Sequence, residues 1–417
     1  MSKCYTAAID IGTSRVRVAV AKINDSKEVQ LLGYAEEVTN GVINSEVLHI
    51  RNVADSIQRA LYRVEQKLDA RITKAFVNVG GRRFITKYFK FDKLVGESGI
   101  ILESDVMYLE NEVRNVKIQS DFTIYEICAA KYTVDGDKKV EDPVQMSGRK
   151  LAAEYTVVIG PKDYSRNIQK VFDDIGIDIL KLSVDPITTS RLYISADEME
   201  AGAILLDMGK GTTKCSVYVD GRVKLMYTIP LGGDSVTEDI KKGLNISYRN
   251  AEKLKLEDAC SKIDTTEDDK IITIPQGSGW APKEISRKNL SNIVEARVEE
   301  ILGFLNEEFL RLNIHEDIGS GIIIVGGASR LKDVSGLISF VFGLPVKHGL
   351  PNFKIESSSR KILTHPLNAS LSGLIAAKLG FVGEQGNIKM NSGDDIGTMQ
   401  NNAIGDFFNN LFSKVVK

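Results

Sequence analysis

One pattern occurs twice in this chain. Ala7–Val20 reads AAIDIGTSRVRVAV and Ala203–Val219 reads AILLDMGKGTTKCSVYV. Each is an apolar strand, an acid–x–glycine turn and a second strand rich in β-branched residues. A strand–D-x-G–strand hairpin is therefore repeated, at Asp10 and at Asp207, and the chain is expected to build two halves on one plan. A third apolar strand ends in glycines at Gly321–Gly327 (GIIIVGG), after an amphipathic helix over Leu290–Leu312.

The connecting segments are of α/β type. Arg51–Leu68 carries Val53, Ile57, Ala60, Leu61, Val64 and Leu68 at helical spacing. Lys74–Val79, Leu151–Ile159 and Ile179–Val184 read as strands, and Pro161–Ile175 as a helix. From about Phe84 to Gly160 the texture changes. Polar strands such as YEICAAKYTVDG and VEDPVQMSGRKL surround a helical stretch, Glu103–Val116, which predicts an inserted α+β lobe.

Composition narrows the functional classes. The 417 residues hold 54 Lys and Arg against 56 Asp and Glu, a net charge of −2. A nucleic-acid binder is usually strongly basic, so none is expected here. Cys4, Cys128, Cys215 and Cys260 show no CxxC spacing, and His49, His315, His348 and His365 are scattered. Neither a disulfide framework nor a zinc site is expected. No signal peptide is visible and no apolar run reaches the ~20 residues of a membrane span.

Two facing D-x-G hairpins can clamp a nucleotide. Glycine turns let backbone N–H groups approach phosphate oxygens. Thr13, Ser14, Thr212 and Thr213 can add hydroxyl donors, and Asp10 and Asp207 can hold hydrated Mg²⁺. The turn at Gly326, Gly327, Ala328 and Ser329 would let backbone approach a nucleoside, with Ser329 capping or meeting phosphate. Glu252 and Lys255, three apart in NAEKLK, share a helix face, as an exposed ion pair would.

These motifs, with Gly232–Gly233 in PLGGDSVTEDI, resemble the actin/Hsp70/sugar-kinase superfamily. Within it the chain is similar to the bacterial cell-division FtsA family. The residues carrying the likeness are AAIDIGTSRV, Gly33, Gly41–Val42, FVNVGGRRF, DPVQMSGRKL, LLDMGKGTTKCSVYVDG, PLGGDSVTEDI and GIIIVGGASRLKDV. They span about residues 5–380, and the tail matches again.

The resemblance implies an actin-like (ribonuclease-H-like) two-domain ATPase fold with an inserted α+β 1C lobe. It implies subdomain 1A at residues 1–84 and 161–200, 1C at 85–160, 2A at 201–242 and 317–380, and 2B at 243–316. It implies ATP with Mg²⁺ as ligand. Asp10, Gly12 and Thr13 would form one phosphate loop, with Ser14 beside it, and Asp207, Gly209, Gly211, Thr212 and Thr213 the other. Gly326, Gly327 and Ala328 would line the nucleoside, Gly232 and Gly233 would belong to the same binding set, and Glu252 and Lys255 would flank the adenosine. Two departures stand out: Lys210 replaces a glycine of many relatives, and Lys214 replaces an acid. ATP binding with weak or no hydrolysis is expected, and no residue reads as the base for a water.

Residues 381–402 are rich in Gly, Asn and Asp, a linker composition. Beyond them Ile404, Phe407, Phe408, Leu411, Phe412, Val415 and Val416 fall on one helical face. At ~1.5–3 kcal/mol per buried side chain, even half of that burial supports reversible binding. A helix over 403–417 has three outlets: a bilayer interface, a groove, or packing on the body. The resemblance favours the first, a membrane-targeting helix. It also places the C-terminal peptide of the tubulin-like protein FtsZ at subdomain 2B, with Arg297 at the matching basic position. Self-association into filaments, and other division proteins at the 1C lobe, are further implied. The expected function is a tether of FtsZ filaments to the cytoplasmic face of the cell membrane at the division site. The alternatives are another actin-like filament protein, for cell shape or pilus assembly, and a metabolic kinase of the superfamily.

Overall fold

The computed structural model describes residues 5–128, 130–262, 270–275 and 281–379. The linker at 381–402 and the apolar set from Ile404 to Val416 lie outside the described residues.

The sequence repeat is a repeat of sheets. In the first sheet the strand order is Asp178–Val184, Lys74–Val79, Thr6–Ile11, Arg15–Ile23, Val29–Val38. In the second it is Val346–His348, Gly321–Val325, Ala203–Met208, Thr213–Val219, Arg222–Ile229. Each sheet is three antiparallel strands continued by two parallel ones. The register is matched too: Asp10 lies opposite Arg17, and Asp207 opposite Lys214. Cross-strand partners share a face, so each hairpin presents one acid beside one base.

Helices cover the sheets as the periodicity predicts. Ile50–Leu68 buries Val53, Ile57, Ala60, Leu61 and Val64. Its close approach depends on Gly33, where a Cβ would stand 2.8 Å from Val64 Cγ1. The Arg287–Arg311 helix buries Leu290, Val294, Val298, Ile301, Leu302, Leu305 and Phe309 in the second core. It begins earlier than the apolar pattern, because the Ser286 hydroxyl caps the Asn289 N–H at 3.0 Å. Ile293 and Leu312, within the span read as amphipathic, are only partly buried.

Between the halves of the first domain sits the lobe. Its sheet runs Lys138–Val140, Lys131–Val134, Lys150–Pro161, Ile85–Leu94, with Phe122–Ile127 also paired to Lys150–Pro161. The Glu103–Arg114 helix buries Leu109 and Val113 against Leu151, Ala153 and Tyr155 in a separate core. The long strand Lys150–Pro161 runs from this core toward the first sheet's own, where Val158 is buried. The lobe also leans on the second sheet: the Tyr88 hydroxyl donates to the Val223 and Lys224 carbonyls at 3.1 and 2.7 Å, and Arg222 pairs with Glu154 at 2.8 Å.

Candidate functional site

The two hairpins face each other across a cleft of about 430 Å³. The first lines it with Asp10, Gly12, Thr13 and Ser14, the second with Asp207, Gly209, Lys210, Thr212 and Lys214. Gly233, Glu252, Lys255, Gly326, Gly327 and Ala328 complete the wall, so the structure brings the sequence-singled residues into one place. The halves touch at the floor. The Thr13 hydroxyl accepts from the Ser45 N–H at 3.1 Å, and the Ser45 and Thr212 hydroxyls share a hydrogen bond at 3.0 Å.

Some expectations need correction. Gly211, Thr213 and Gly232 are not among the lining residues. Thr213 is fully buried and its hydroxyl donates to the Leu231 carbonyl at 3.0 Å, which closes its sheet rather than facing a ligand. Gly211 lets the hairpins meet: a Cβ there would stand 2.8 Å from Thr13 Cγ2. Gly232 passes so close to the Gly209 and Lys210 carbonyls, at 2.7 and 2.6 Å from an added Cβ, that no side chain fits. The Gly12 and Gly209 amides do not point at a ligand either. They close their own turns, onto the Arg15 carbonyl at 3.1 Å and the Thr212 carbonyl at 2.9 Å. Ser329 is buried and donates to the Gly326 carbonyl at 2.8 Å, so it holds the turn's shape. The helix after that turn opens at Val334, preceded by a short 3-10 turn over Ala328–Arg330.

Glu252 and Lys255 are not the exposed pair their spacing suggests. Lys255 is 8% exposed. Its ammonium donates to Glu252 at 2.7 Å, to the Thr237 hydroxyl at 2.8 Å and to the Gly233 carbonyl at 2.9 Å. With all three donors used, Lys255 ties the Tyr248–Glu257 helix to the start of the Gly233–Leu244 helix. Lys210 lies at the rim, half exposed, 3.8 Å from Asp234 and over the Tyr248 ring. Arg297 is not a lining residue. It sits on the Arg287–Arg311 helix, ion-paired to Asp239 and Glu300.

Sequence reasoning missed the centre of the charge network. Asp185 starts the Asp185–Tyr193 helix, is 2% exposed and lines the cleft. Its signal was the Val184–Asp185–Pro186 run, an acid and a proline where a strand hands over to a helix. Lys214 reaches between the halves, ion-paired to Asp185 and 3.4 Å from Asp207. Asp10 is held by Arg17 at 3.1 Å and by the Asn78 amide at 2.6 Å. Burial pushes Asp10 and Asp207 above the usual carboxylate range, and neighbouring Asp185 adds to it. Burial works against Asp185 as well, but Lys214's charge and hydrogen bond hold it below that range. The same partners overcome desolvation at Lys214 and keep it cationic.

This donor set bears on the expected Mg²⁺. A hydrated magnesium ion needs carboxylate oxygens turned toward it and a surplus of negative charge. Both Asp10 oxygens are engaged, by Arg17 and by Asn78. Asp207 and Asp185 both face the Lys214 ammonium. Among the described residues no group of three or more His, Cys, Asp or Glu side chains surrounds a metal position. The residues present do not fit a divalent cation seated on Asp10 and Asp207.

A family model described as Cell division protein FtsA matches residues 204–373, and one described as the SHS2 domain inserted in FtsA matches 93–159, within the lobe. The Cell division protein FtsA of Pseudomonas aeruginosa is 27% identical over 374 residues, covering 88% of this chain and 87% of its own. That of Bacillus subtilis is 27% identical over 352 residues, covering 83% and 78%. Among solved structures, a PilM–PilN type IV pilus biogenesis complex matches with TM-score 0.63 at 15% identity, covering 90% of this chain and 98% of the other. MreB5 of Spiroplasma citri bound to ADP matches with TM-score 0.52 at 15% identity, covering 90% and 96%. The fold is the actin-like two-domain fold, and its inserted lobe is the SHS2 domain. With two matched family models and relatives aligned over most of its length, the chain belongs to the FtsA family of bacterial cell-division proteins.

Proposed function

We propose that this chain binds ATP in the cleft between its paired hairpins and serves in cell division as an actin-like tether. In that role it links FtsZ filaments to the cytoplasmic face of the cell membrane at the division site and helps assemble the septum. The observation that carries the reading is the facing pair of acid–glycine hairpins, joined through Thr13, Ser45 and Thr212, on a chain of the FtsA family. The phosphates would meet Thr13, Ser14, Thr212 and Lys214, and the nucleoside the Gly326–Gly327–Ala328 turn beside Glu252. A fold neighbour, MreB5, is a structure bound to ADP. The subdomain boundaries expected from the sequence are part of this proposal.

The membrane seat is proposed on the apolar face from Ile404 to Val416. Among the described residues no helix is long and apolar enough to cross a membrane. An acidic FtsZ peptide is proposed at Arg297, where it would compete with Asp239 and Glu300 for the guanidinium. The lobe is proposed as the contact for self-association and for other division proteins.

Co-sedimentation tests the tether. Anionic liposomes, FtsZ and ATP are pelleted with the full chain or with a chain ending at Asn402. Pelleting of FtsZ only with the full chain is the expected result. Equal FtsZ in both pellets, or in neither, removes the tether reading.

A further inference from the structure

We propose that Lys214 supplies the cation of the phosphate seat, so that this chain takes ATP without a divalent metal. The inference rests on the ATP reading above and concerns how that ligand is held.

Lys214 projects from the second strand of the second hairpin, directly opposite Asp207. It reaches Asp207 at 3.4 Å and the Asp185 carboxylate beyond it, and its side chain is 12% exposed. It is a lining residue of the cleft, so the ammonium is both buried by protein and open to the ligand side. An ammonium has three donors. Two are directed at carboxylates, and the third is available to a phosphate oxygen. Such a charge-assisted bond is short and strong in a site largely closed to water.

The first hairpin carries the same device. Arg17 stands opposite Asp10 in register and pairs with it at 3.1 Å, both side chains nearly buried. Three carboxylates (Asp10, Asp185 and Asp207) are ion-paired by Arg17 and Lys214, and Arg15, Lys210, Lys255 and Arg330 also line the cleft against one further acid, Glu252. The lining therefore holds no surplus of negative charge to draw a hydrated divalent ion past an ammonium already placed among the acids. A divalent cation would have to displace Lys214 and strand it in a buried position. Arg17 also lines the cleft, held by Asp10 and by Glu36, whereas Lys214 joins the acids of both halves.

Isothermal calorimetry of ATP into the full-length protein, in EDTA and in MgCl₂, is the test. The expected dissociation constants agree within about threefold, well inside the tenfold that one strong contact is worth. Lys214→Arg keeps that metal independence. Lys214→Met, checked for folding by circular dichroism, loses about tenfold or more in EDTA. If the wild-type affinity falls tenfold or more on chelation while ATP still binds with Mg²⁺, the inference is overturned and the ATP reading stands. Unchanged binding by a folded Lys214→Met in EDTA also overturns it. No binding under either condition overturns the ATP reading and the inference together.

Discussion

At the residue scale, the decisive feature is an acid and a base seven positions apart, at Asp10 and Arg17 and again at Asp207 and Lys214. Removing one partner leaves the other buried and uncompensated. Arg17→Met is expected to destabilise the protein by about 3–5 kcal/mol. The double variant Asp10→Asn with Arg17→Met should recover part of that loss. Urea midpoints for the wild type and the three variants, combined as a double-mutant cycle, measure the coupling. Additive effects would show that the pair carries no stability of its own. A second residue-scale prediction concerns the lobe. The Asp105 carboxylate accepts the Leu102 N–H at 2.9 Å at the start of the Glu103–Arg114 helix, and Lys93 lies 2.6 Å away. The backbone bond, then Lys93, holds this carboxyl below its ordinary 3.8. A folded-state value below the unfolded one means the contribution is present above 3.8 and is lost as pH falls through the folded value. Asp105→Asn should cost about 1 kcal/mol at neutral pH, the worth of one helix-start bond. The gap to wild type should narrow below pH 3.8 in urea titrations, and a constant gap would refute the ionic origin.

At the element scale, the site depends on two helices pressed together. The Ala369–Lys378 helix crosses the Asp185–Tyr193 helix at Gly373, where an added Cβ would stand 2.8 Å from the Thr188 carbonyl oxygen and 3.0 Å from Thr189 Cα. Both neighbours are backbone and cannot turn aside. Gly373→Val is expected to force the helices apart at a cost of about 1–3 kcal/mol. Because the displaced helix carries Asp185, ATP affinity should fall along with stability. Thermal melts and calorimetry on the same preparation test this. A variant with lowered stability and wild-type affinity would uncouple that helix pair from the cleft. The periodicity of the long helices was legible, since an apolar stripe has to be buried. This crossing was not, because a glycine in a helix does not announce what lies against it.

At the scale of the whole molecule, the two halves meet where the second hairpin's turn touches the first half, through Thr212 with Ser45 and through Gly211 with Thr13. A ligand bridging both should stabilise the closed body. At about 100 times its dissociation constant, ATP is expected to add about 2.7 kcal/mol. The melting temperature should rise with ATP concentration. Gly211→Val, whose side chain would meet the Thr13 methyl, should abolish that rise while leaving each half folded. A concentration-dependent rise in Gly211→Val equal to that of the wild type would show that ATP does not need the halves in contact.

The sequence alone determined the doubled hairpin, the α/β character, the inserted lobe and the residues around which the cleft forms. Each of these is local: a strand, a turn or a helix stripe is written in neighbouring residues. Only the tertiary structure decided which groups face the cleft and which turn away. Thr212 and Thr213 are adjacent and alike, yet Thr212, at the end of the turn, shares a hydrogen bond with Ser45 of the other half, while Thr213, first in the strand, donates to the Leu231 carbonyl. Glu252 and Lys255 read as a surface pair because spacing on a helix says nothing of the Gly233–Leu244 helix packed over them. Asp185 and Lys214 looked unrelated, one beside a proline and the other in a strand. Folding sets them together, because a charge taken out of water must find its counter-charge, and the chain supplies one from the other half.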